Sequence, residues 1–444
     1  MMHDTIAAIS TALSESAVSI VRLSGEDAIE ITNKIFSRDM TKFAKNTINY
    51  GMIVDPETKK EVDEVLVSVF KAPNSYTAED VVEINCHGGV YITRKILSLC
   101  LGAGARMARP GEFTERAFLN GRIDLTQAES VLDMLQADSS KKASMAIEGI
   151  KGSVRKLIEP LIDDLVELIA HIEVNIDYPE YDDIEQLTNE VVYPQAVSLK
   201  NRLDEILRKA ESGRIMKQGV KTVILGKPNV GKSSLLNALL EEDKAIVTDI
   251  AGTTRDIVEG VIRLENVTLH LIDTAGIHET EDIVEKIGIE KSLQMLQEAE
   301  LILVLLDGSR ELDEADQRLL EITEGKNRIL LTNKTDLDLK FEMGIKISAQ
   351  NMEIEGLINE INQRYLVHSQ TADESVLNND RQIGLVQKAS ASLKQAIEAL
   401  KNGVELDLVT IDFQDSYQSL KEILGEVTRE DLLDAMFSRF CLGK

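Results

Sequence analysis

Cysteine is scarce in this chain, cationic side chains are outnumbered, and a long apolar run is missing. The three cysteines, Cys86, Cys100 and Cys441, are too few and too scattered for a disulfide framework, and none forms a metal-type pair. No stretch approaches the roughly 18 consecutive apolar residues that would span a bilayer. The first residues have neither a basic start nor a small-residue cleavage site. These absences lead us to expect a cytoplasmic protein with no membrane partner. With 49 Lys and Arg against 76 Asp and Glu, the net charge of -27 argues against a general affinity for nucleic acid, because phosphate binding is driven by cations that displace counterions. The deficit is uneven. Residues 1–122 carry 14 basic against 16 acidic side chains, so nearly all the acidity lies beyond Arg122 and any polyanion must be gripped locally.

What is present suffices for several hydrophobic cores. A chain of 444 residues, 43% hydrophobic, is expected to form about two to four domains. Residues 1–120 alternate β-rich runs (18–23, 62–70, 81–85) with helical stretches (27–35, 90–101), the pattern of an α+β module. From 125 to 176 apolar residues recur at helical spacing, interrupted by Gly149, Gly152 and Pro160, and a further helix is expected near 191–212. The acidic tract 177–185 reads as a solvated connection. Strand and helix signals then alternate from 220 to about 365, with strands expected near 222–225, 269–272, 301–306, 329–332 and 344–347, which predicts a mostly parallel sheet covered by helices. Helical spacing resumes at 380–442. The simplest organisation is an N-terminal module (1–120) and an all-α domain in two pieces (121–215 and 371–444) interrupted by an inserted α/β domain (216–370).

The insert carries the chemistry. Gly226-Lys227-Pro228-Asn229-Val230-Gly231-Lys232-Ser233, followed by Ser234, sits between an apolar strand and a helical run. Its glycines let backbone N–H groups curl around phosphate oxygens, Lys232 neutralises charge, and Ser233 offers a hydroxyl to magnesium. Asp273-Thr274-Ala275-Gly276 follows the next strand, where an acid can support the magnesium shell and a glycine amide can meet the terminal phosphate. Asn333-Lys334-Thr335-Asp336 ends another strand, and its Asp336 carboxylate can accept two hydrogen bonds from guanine that adenine cannot offer. Ser348-Ala349 completes the base pocket. Four motifs in this order, each at a strand's end, identify a P-loop GTPase that binds GTP and GDP. Between the first two lies Thr248-Asp249-Ile250-Ala251-Gly252-Thr253-Thr254-Arg255-Asp256, where Thr254 is the candidate for a threonine that meets magnesium only when the terminal phosphate is present; a polar surface turn is the plainer alternative. Ile277 occupies the place where many GTPases carry a water-orienting glutamine, so water must be positioned from elsewhere or hydrolysis must be slow.

The phosphate-loop tract and the Asp249–Asp256 tract resemble several translation-factor-related GTPases that act on ribosomes or RNA. The flanks narrow the resemblance. Val21-Arg22-Leu23-Ser24-Gly25, Ser75-Tyr76-Thr77-Ala78-Glu79-Asp80, His87-Gly88-Gly89, the run Ala108-Arg109-Pro110-Gly111-Glu112-Phe113-Thr114-Glu115-Arg116-Ala117-Phe118-Leu119-Asn120-Gly121 and the terminal Cys441-Leu442-Gly443-Lys444 all look like the MnmE (TrmE) family of tRNA modification GTPases, over the entire chain. That resemblance implies a tetrahydrofolate-binding N-terminal domain, a helical domain split around the GTPase domain, and a homodimer formed through the N-terminal domains. It also implies work on tRNA with the flavin protein MnmG, as a heterotetramer that adds an aminomethyl or carboxymethylaminomethyl group to C5 of the wobble uridine. The one-carbon donor would be a 5-formyl- or methylene-tetrahydrofolate. No obvious arginine finger is encoded, although Arg255 is close in sequence, and the resemblance implies that potassium stimulates GTP hydrolysis in its place.

Carried onto this sequence, the family pattern implies potassium held by Asn229, Thr248, Ile250 and Thr253, and magnesium held by Ser233 and Thr254. Glu285 matches the glutamate that orients or activates water, against the plainer alternative of a solvated carboxylate at an acidic helix start. Arg22, Glu83, Arg122 and Lys444 match the folate site, each otherwise an ordinary surface charge. Cys441 matches a cysteine implicated in the modification chemistry; a small apolar tail residue is the alternative. His87, without partners at ligand spacing, reads as structural. Two other function classes stay open: a ribosome-assembly or RNA-associated switch GTPase, and a folate-dependent one-carbon enzyme that the GTPase merely regulates.

Overall fold

The structure is a computed structural model that describes residues 4–42, 46–137, 140–177, 189–241, 260–272, 298–371, 377, 379–427, 430–441 and 443. The chain divides into two compact units, one comprising Met1–Asn201 with Leu385–Lys444 and the other Arg202–Gly384.

The first unit opens with a six-stranded sheet made of β1 (Ile6–Ile9), β2 (Ser16–Ser24), β3 (Thr47–Val54), β4 (Glu61–Phe70), β5 (Val81–Gly88) and β6 (Arg106–Met107), in the order β3-β4-β5-β2-β1-β6. Its pairs are antiparallel except β1 with β6. Helices α1 (Ala28–Ile35) and α2 (Val90–Gly102) cover one face, where Val21, Leu23, Val65, Val67, Ile84 and Cys86 pack with Ile31, Ile35 and Ile96. Strand side chains alternate between faces, so the residues between these apolar ones point the other way. There α3 (Glu112–Leu119) lays Phe113 against Ile6 and Ala8. The strands expected at 18–23, 62–70 and 81–85 are β2, β4 and β5. Strand β1 is not legible in advance because four residues, two of them alanine, carry a weak β signal, and burial between neighbours overrides it.

The chain continues into α4 (Leu125–Gln136), α5 (Ser140–Ile150), α6 (Ser153–Asp177) and α7 (Asn189–Gln218). Of the three expected interruptions, the chain leaves the helix only at Gly152. Gly149 lies inside α5, where a Cβ would come within 2.2 Å of the Ser130 hydroxyl of α4, so its missing side chain is what lets the two helices approach. Pro160 lies inside α6 and removes one backbone donor without ending the helix.

The second unit is built on β7 (Val220–Leu225), β8 (Gly260–Arg263), β9 (Thr268–Leu271), β10 (Leu301–Asp307), β11 (Arg328–Asn333) and β12 (Ile345–Lys346), with α8 (Lys232–Glu241), α9 (Glu314–Ile322) and α10 (Glu355–Thr371). The order is β12-β11-β10-β7-β9-β8, parallel throughout except β8 with β9. Every residue of the central β10 is buried, as a strand covered on both faces requires. Leu301, Leu303 and Leu305 pack with Leu235 and Leu239 of α8 and Leu357 of α10, whereas Ile302, Val304 and Leu306 face Leu319 and Leu320 of α9. Strand β8, short and paired only at the sheet's edge, was not expected from the sequence.

The chain then returns to the first unit through α11 (Asp380–Lys401), α12 (Leu406–Leu424) and α13 (Glu430–Phe437), and α12 packs along α6. A buried carboxylate organises this junction. Asp124 caps α4 through a reciprocal pair, accepting from the Gln127 N–H at 2.9 Å while Gln127 Oε1 accepts from the Asp124 N–H at 2.9 Å. Its other oxygen accepts from Arg155 Nε of α6 at 2.9 Å, and Arg155 also lies 3.6 Å from Glu426 beyond α12. Among the described residues no helix is long and apolar enough to cross a membrane. Asp124→Ala removes the cap and leaves Arg155 without its closest partner; we expect a loss of about 2 kcal/mol of stability, read as a lower urea midpoint with unchanged slope.

Candidate active site

The carboxyl ends of β7, β10, β11 and β12 lie at one edge of the parallel sheet, where open α/β folds bind ligands. The loop after β7 turns sharply into α8, with Asn229 at φ +63° and Gly231 at φ +101°. A side chain at position 231 would place its Cβ 2.3 Å from the Asn333 amide nitrogen, so glycine is required both by the backbone angle and by the close approach. Asn333, 3% exposed at the end of β11, donates to the Val230 carbonyl at 2.8 Å and accepts from the Ala349 N–H at 3.0 Å. Ser348 donates to Asp336 at 2.7 Å. Lys334, at φ +64°, donates to Asp307 at 2.7 Å. The phosphate loop, Asn333, Lys334, Asp336, Ser348 and Ala349 are thus brought to one place.

Lys232 begins α8 and curls back over the loop, donating to the carbonyls of Gly226 at 2.8 Å and Lys227 at 3.1 Å. Burial pushes its ammonium below the ordinary lysine range. A phosphate among the loop amides would reverse that penalty. Ser233 is half-buried at the second position of the helix, and Ser234 and Asn229 are exposed. The expected residues Thr248, Asp249, Ile250, Ala251, Gly252, Thr253, Thr254, Asp273, Thr274, Ala275, Gly276 and Glu285 lie outside the described residues.

A second cluster forms on the α3 face of the first unit. Arg22 and Glu83 are direct cross-strand partners on β2 and β5, and Arg22 Nε donates to Glu83 Oε1 at 2.8 Å. Strand parity explains the placement: Val21 and Leu23 enter the core, so Arg22 faces the other side. Its guanidinium lies 5.7 Å from the Phe113 ring centre and 6.0 Å from that of Tyr76. Arg122 approaches the same tyrosine at 5.3 Å. Arg22 also donates to the carbonyl of Gly443 at 3.1 Å. The chain's end is seated by Gly111, whose φ of +74° and bare Cα let α3 begin against Phe437 of α13; a Cβ there would sit 2.3 Å from the Phe437 carbonyl oxygen. Cys441, two residues before Gly443, is exposed, whereas Cys86 and Cys100 are buried and burial pushes the Cys100 thiol up to about 12. Lys444 lies outside the described residues. His87 stands apart from this cluster, its ring nitrogen 2.6 Å from Asp63.

Three neighbours of these side chains, Tyr76, Phe113 and Asp307, carry no motif role in the sequence. Tyr76 and Phe113 stand inside quoted motifs, and the parity of β2 was a usable signal for the face they cover. Asp307 directly follows an apolar run, the same signal that marks Asn333.

Comparison with known proteins places both units. The family model described as the GTP-binding protein TrmE N-terminus matches residues 5–122, and that of the MnmE helical domain matches residues 125–441. The tRNA modification GTPase MnmE of Bacillus cytotoxicus is 47% identical over 458 residues, covering 100% of both chains. That of Lactobacillus delbrueckii subsp. bulgaricus is 49% identical over 456 residues, covering 99% of this chain and 98% of its own. Among solved structures, a variant of Era from Aquifex aeolicus bound to GDP.AlF4- aligns with 39% of this chain and 66% of its own at 25% identity, with a TM-score of 0.25. Two family models that together run over nearly all of the sequence, and relatives matched end to end, establish that this chain belongs to the MnmE family of tRNA modification GTPases.

Proposed function

We propose that this chain, as a cytoplasmic homodimer joined through its N-terminal domains, works with the flavin protein MnmG as a heterotetramer on tRNA. Together they would add an aminomethyl or carboxymethylaminomethyl group to C5 of the wobble uridine. The one-carbon unit would come from 5-formyl- or methylene-tetrahydrofolate, and GTP hydrolysis would be stimulated by potassium. The observation that carries the reading is that Glu83 and the Gly443 backbone converge on Arg22 while Arg22 and Arg122 share Tyr76, residues far apart in sequence.

In the nucleotide site, the α8 N-terminus and the phosphate-loop amides bind the phosphates, and Lys232 leaves the Gly226 and Lys227 carbonyls to reach them. Asp336 exchanges Ser348 for the guanine N1–H and amine. Of the metal donors implied, the structure describes Ser233 and Asn229, a hydroxyl and an amide oxygen of the hard type that both cations take. Ser233, at the helix start, would hold magnesium together with Thr254, and the exposed amide of Asn229 would hold potassium together with Thr248, Ile250 and Thr253. When bound, such cations would supply neutralisation of the charge that develops on the phosphates. Glu285 orients the attacking water, the role Ile277 cannot fill.

The second cluster fits a folate. Glu83 would accept hydrogen bonds from the pterin, the Tyr76 and Phe113 rings would provide apolar contact, and Arg122 and Lys444 would pair with the glutamate carboxylates. Arg22 is largely neutralised by Glu83, so Arg122 carries more of the attraction toward the anionic tail. Cys441, exposed in the docked tail, is available to the modification chemistry.

Three measurements test these assignments. GTP hydrolysis in potassium should exceed that in sodium at equal ionic strength by about tenfold or more, and Asn229→Ala should erase the difference; equal rates in the two salts would remove the ion assignment. Glu285→Ala should slow hydrolysis in potassium by about 100-fold with little change in GDP affinity, and a normal rate would exclude it as the water-directing group. Arg122→Ala should weaken 5-formyl-tetrahydrofolate binding by about tenfold in calorimetry, and unchanged binding would move the folate site elsewhere.

A further inference from the structure

The nucleotide site contains a set of charges that its motifs do not account for. Asp307 ends β10 and is buried; one oxygen accepts from the Ser309 N–H at 3.1 Å and the Ser309 hydroxyl at 2.6 Å, and the other takes Lys334 at 2.7 Å. Burial pushes this carboxyl up, but Lys334 and Ser309 outweigh it and hold it below the ordinary aspartate range. Arg310 lies 3.7 Å from the same oxygen and reaches the start of α9, 3.2 Å from Asp313 and 3.4 Å from Asp316. Asp313 and Asp316 form a reciprocal cap on that helix. Asp313 is also hydrogen-bonded to Lys227 of the phosphate loop, whose ammonium lies 3.7 Å from the buried Asp316. Three acids and three bases therefore alternate from the phosphate loop to the base-recognising turn. Both ends touch lysines that the site needs: Lys334 directly, and Lys232 through the Lys227 carbonyl it donates to at 3.1 Å.

We infer that Asp307 is a positioning residue for guanine nucleotide, fixing Lys334 on one side and, through Arg310 and the Asp313–Asp316 cap, Lys227 and its carbonyl on the other. The phosphate and base halves of the site then share one charge network. This rests on the reading of residues 226–233 and 333–336 as the nucleotide site.

The test is the affinity of the full chain for fluorescent GDP in wild type, Asp307→Asn, Asp307→Glu, Lys227→Met and the Asp307→Asn/Lys227→Met double variant. Asp307→Asn should weaken GDP by about tenfold, because a neutral acceptor no longer holds Lys334, and Asp307→Glu should recover most of it. The double variant should lose less than the product of the two single losses, since the first break already uncouples the network. In a Lys334→Met background the effect of Asp307→Asn should shrink to less than about twofold. A merely structural Asp307 would give multiplying losses and a lowered melting temperature without nucleotide, and that result, or unchanged GDP affinity in Asp307→Asn, overturns the inference. Should Asp307→Asn fail to fold, Arg310→Gln paired with Lys227→Met takes its place with the same expectation. Wild type that does not bind GDP would overturn the site reading, an outcome distinct from binding without coupling.

Discussion

One buried amide holds the candidate nucleotide site together. Asn333 uses its side chain to satisfy a carbonyl of the phosphate loop and the Ala349 N–H beyond the last strand, so three segments separate in sequence are fixed at hydrogen-bond distance. Such a group is costly to leave unsatisfied, which makes the arrangement close to all-or-none. The bare Cα of Gly231 is a consequence: no side chain fits between the loop and the Asn333 amide. The folded-back Lys232 follows in turn, because the loop it leans on is already in place.

The N-terminal module applies the same constraint with charge instead of amides. Arg116, 2% exposed, meets Asp4 at 2.7 Å, Glu79 at 3.2 Å and Glu112 at 3.3 Å, while Arg106 takes Glu112 at 2.6 Å. Buried pairs of this kind yield little net stability, but they demand that every member be present. Their effect here is positional. Arg116 grips Glu79, Asn120 donates to the Thr77 carbonyl at 2.7 Å, and Thr114 meets the Tyr76 hydroxyl at 2.9 Å, so α3 and the residue that follows it hold the loop at 75–80 through three contacts. Two motifs that read separately in sequence are the two halves of one clamp, and what they clamp is the tyrosine beneath Arg22 and Arg122.

The sequence made the GTPase half more legible than the other. Each of its motifs follows an apolar strand, and a parallel sheet gathers strand ends at one edge whatever the details of packing, so order and spacing already imply proximity. The inserted α/β unit with flanking helices was readable for the same reason. The Arg22 cluster depends on register between β2 and β5, on a helix lying across the sheet, and on a tail docking 421 residues away from its partner in the chain. None of these is a local property, so only the resemblance to a family named Arg22, Glu83 and Arg122 together. Tyr76 was missed because a ring inside a turn looks like any other until its neighbours are known. Asp307 was missed because the expected strand stopped one residue short of it, and a lone acid after an apolar run matches no phosphate or base motif.

The charge balance gains meaning once the ion pairs are known. Residues 1–122 are nearly neutral, yet many of their cations are committed internally: Arg22 to Glu83, Lys95 to Asp55, Arg106 and Arg116 to Glu112 and Asp4, and Arg109 to Glu115. A guanidinium engaged with a carboxylate is a poor phosphate ligand, because releasing it restores an unpaired acid beside the bound polyanion. The cations left for a tRNA are therefore fewer than the composition suggests, and the acidic remainder of the chain repels the backbone. Binding built on few phosphate contacts depends weakly on salt and is weak alone. A tRNA modification GTPase of this charge thus meets its tRNA with few uncommitted cations on the N-terminal module, and the committed ones hold that module's own buried polar side chains in shape.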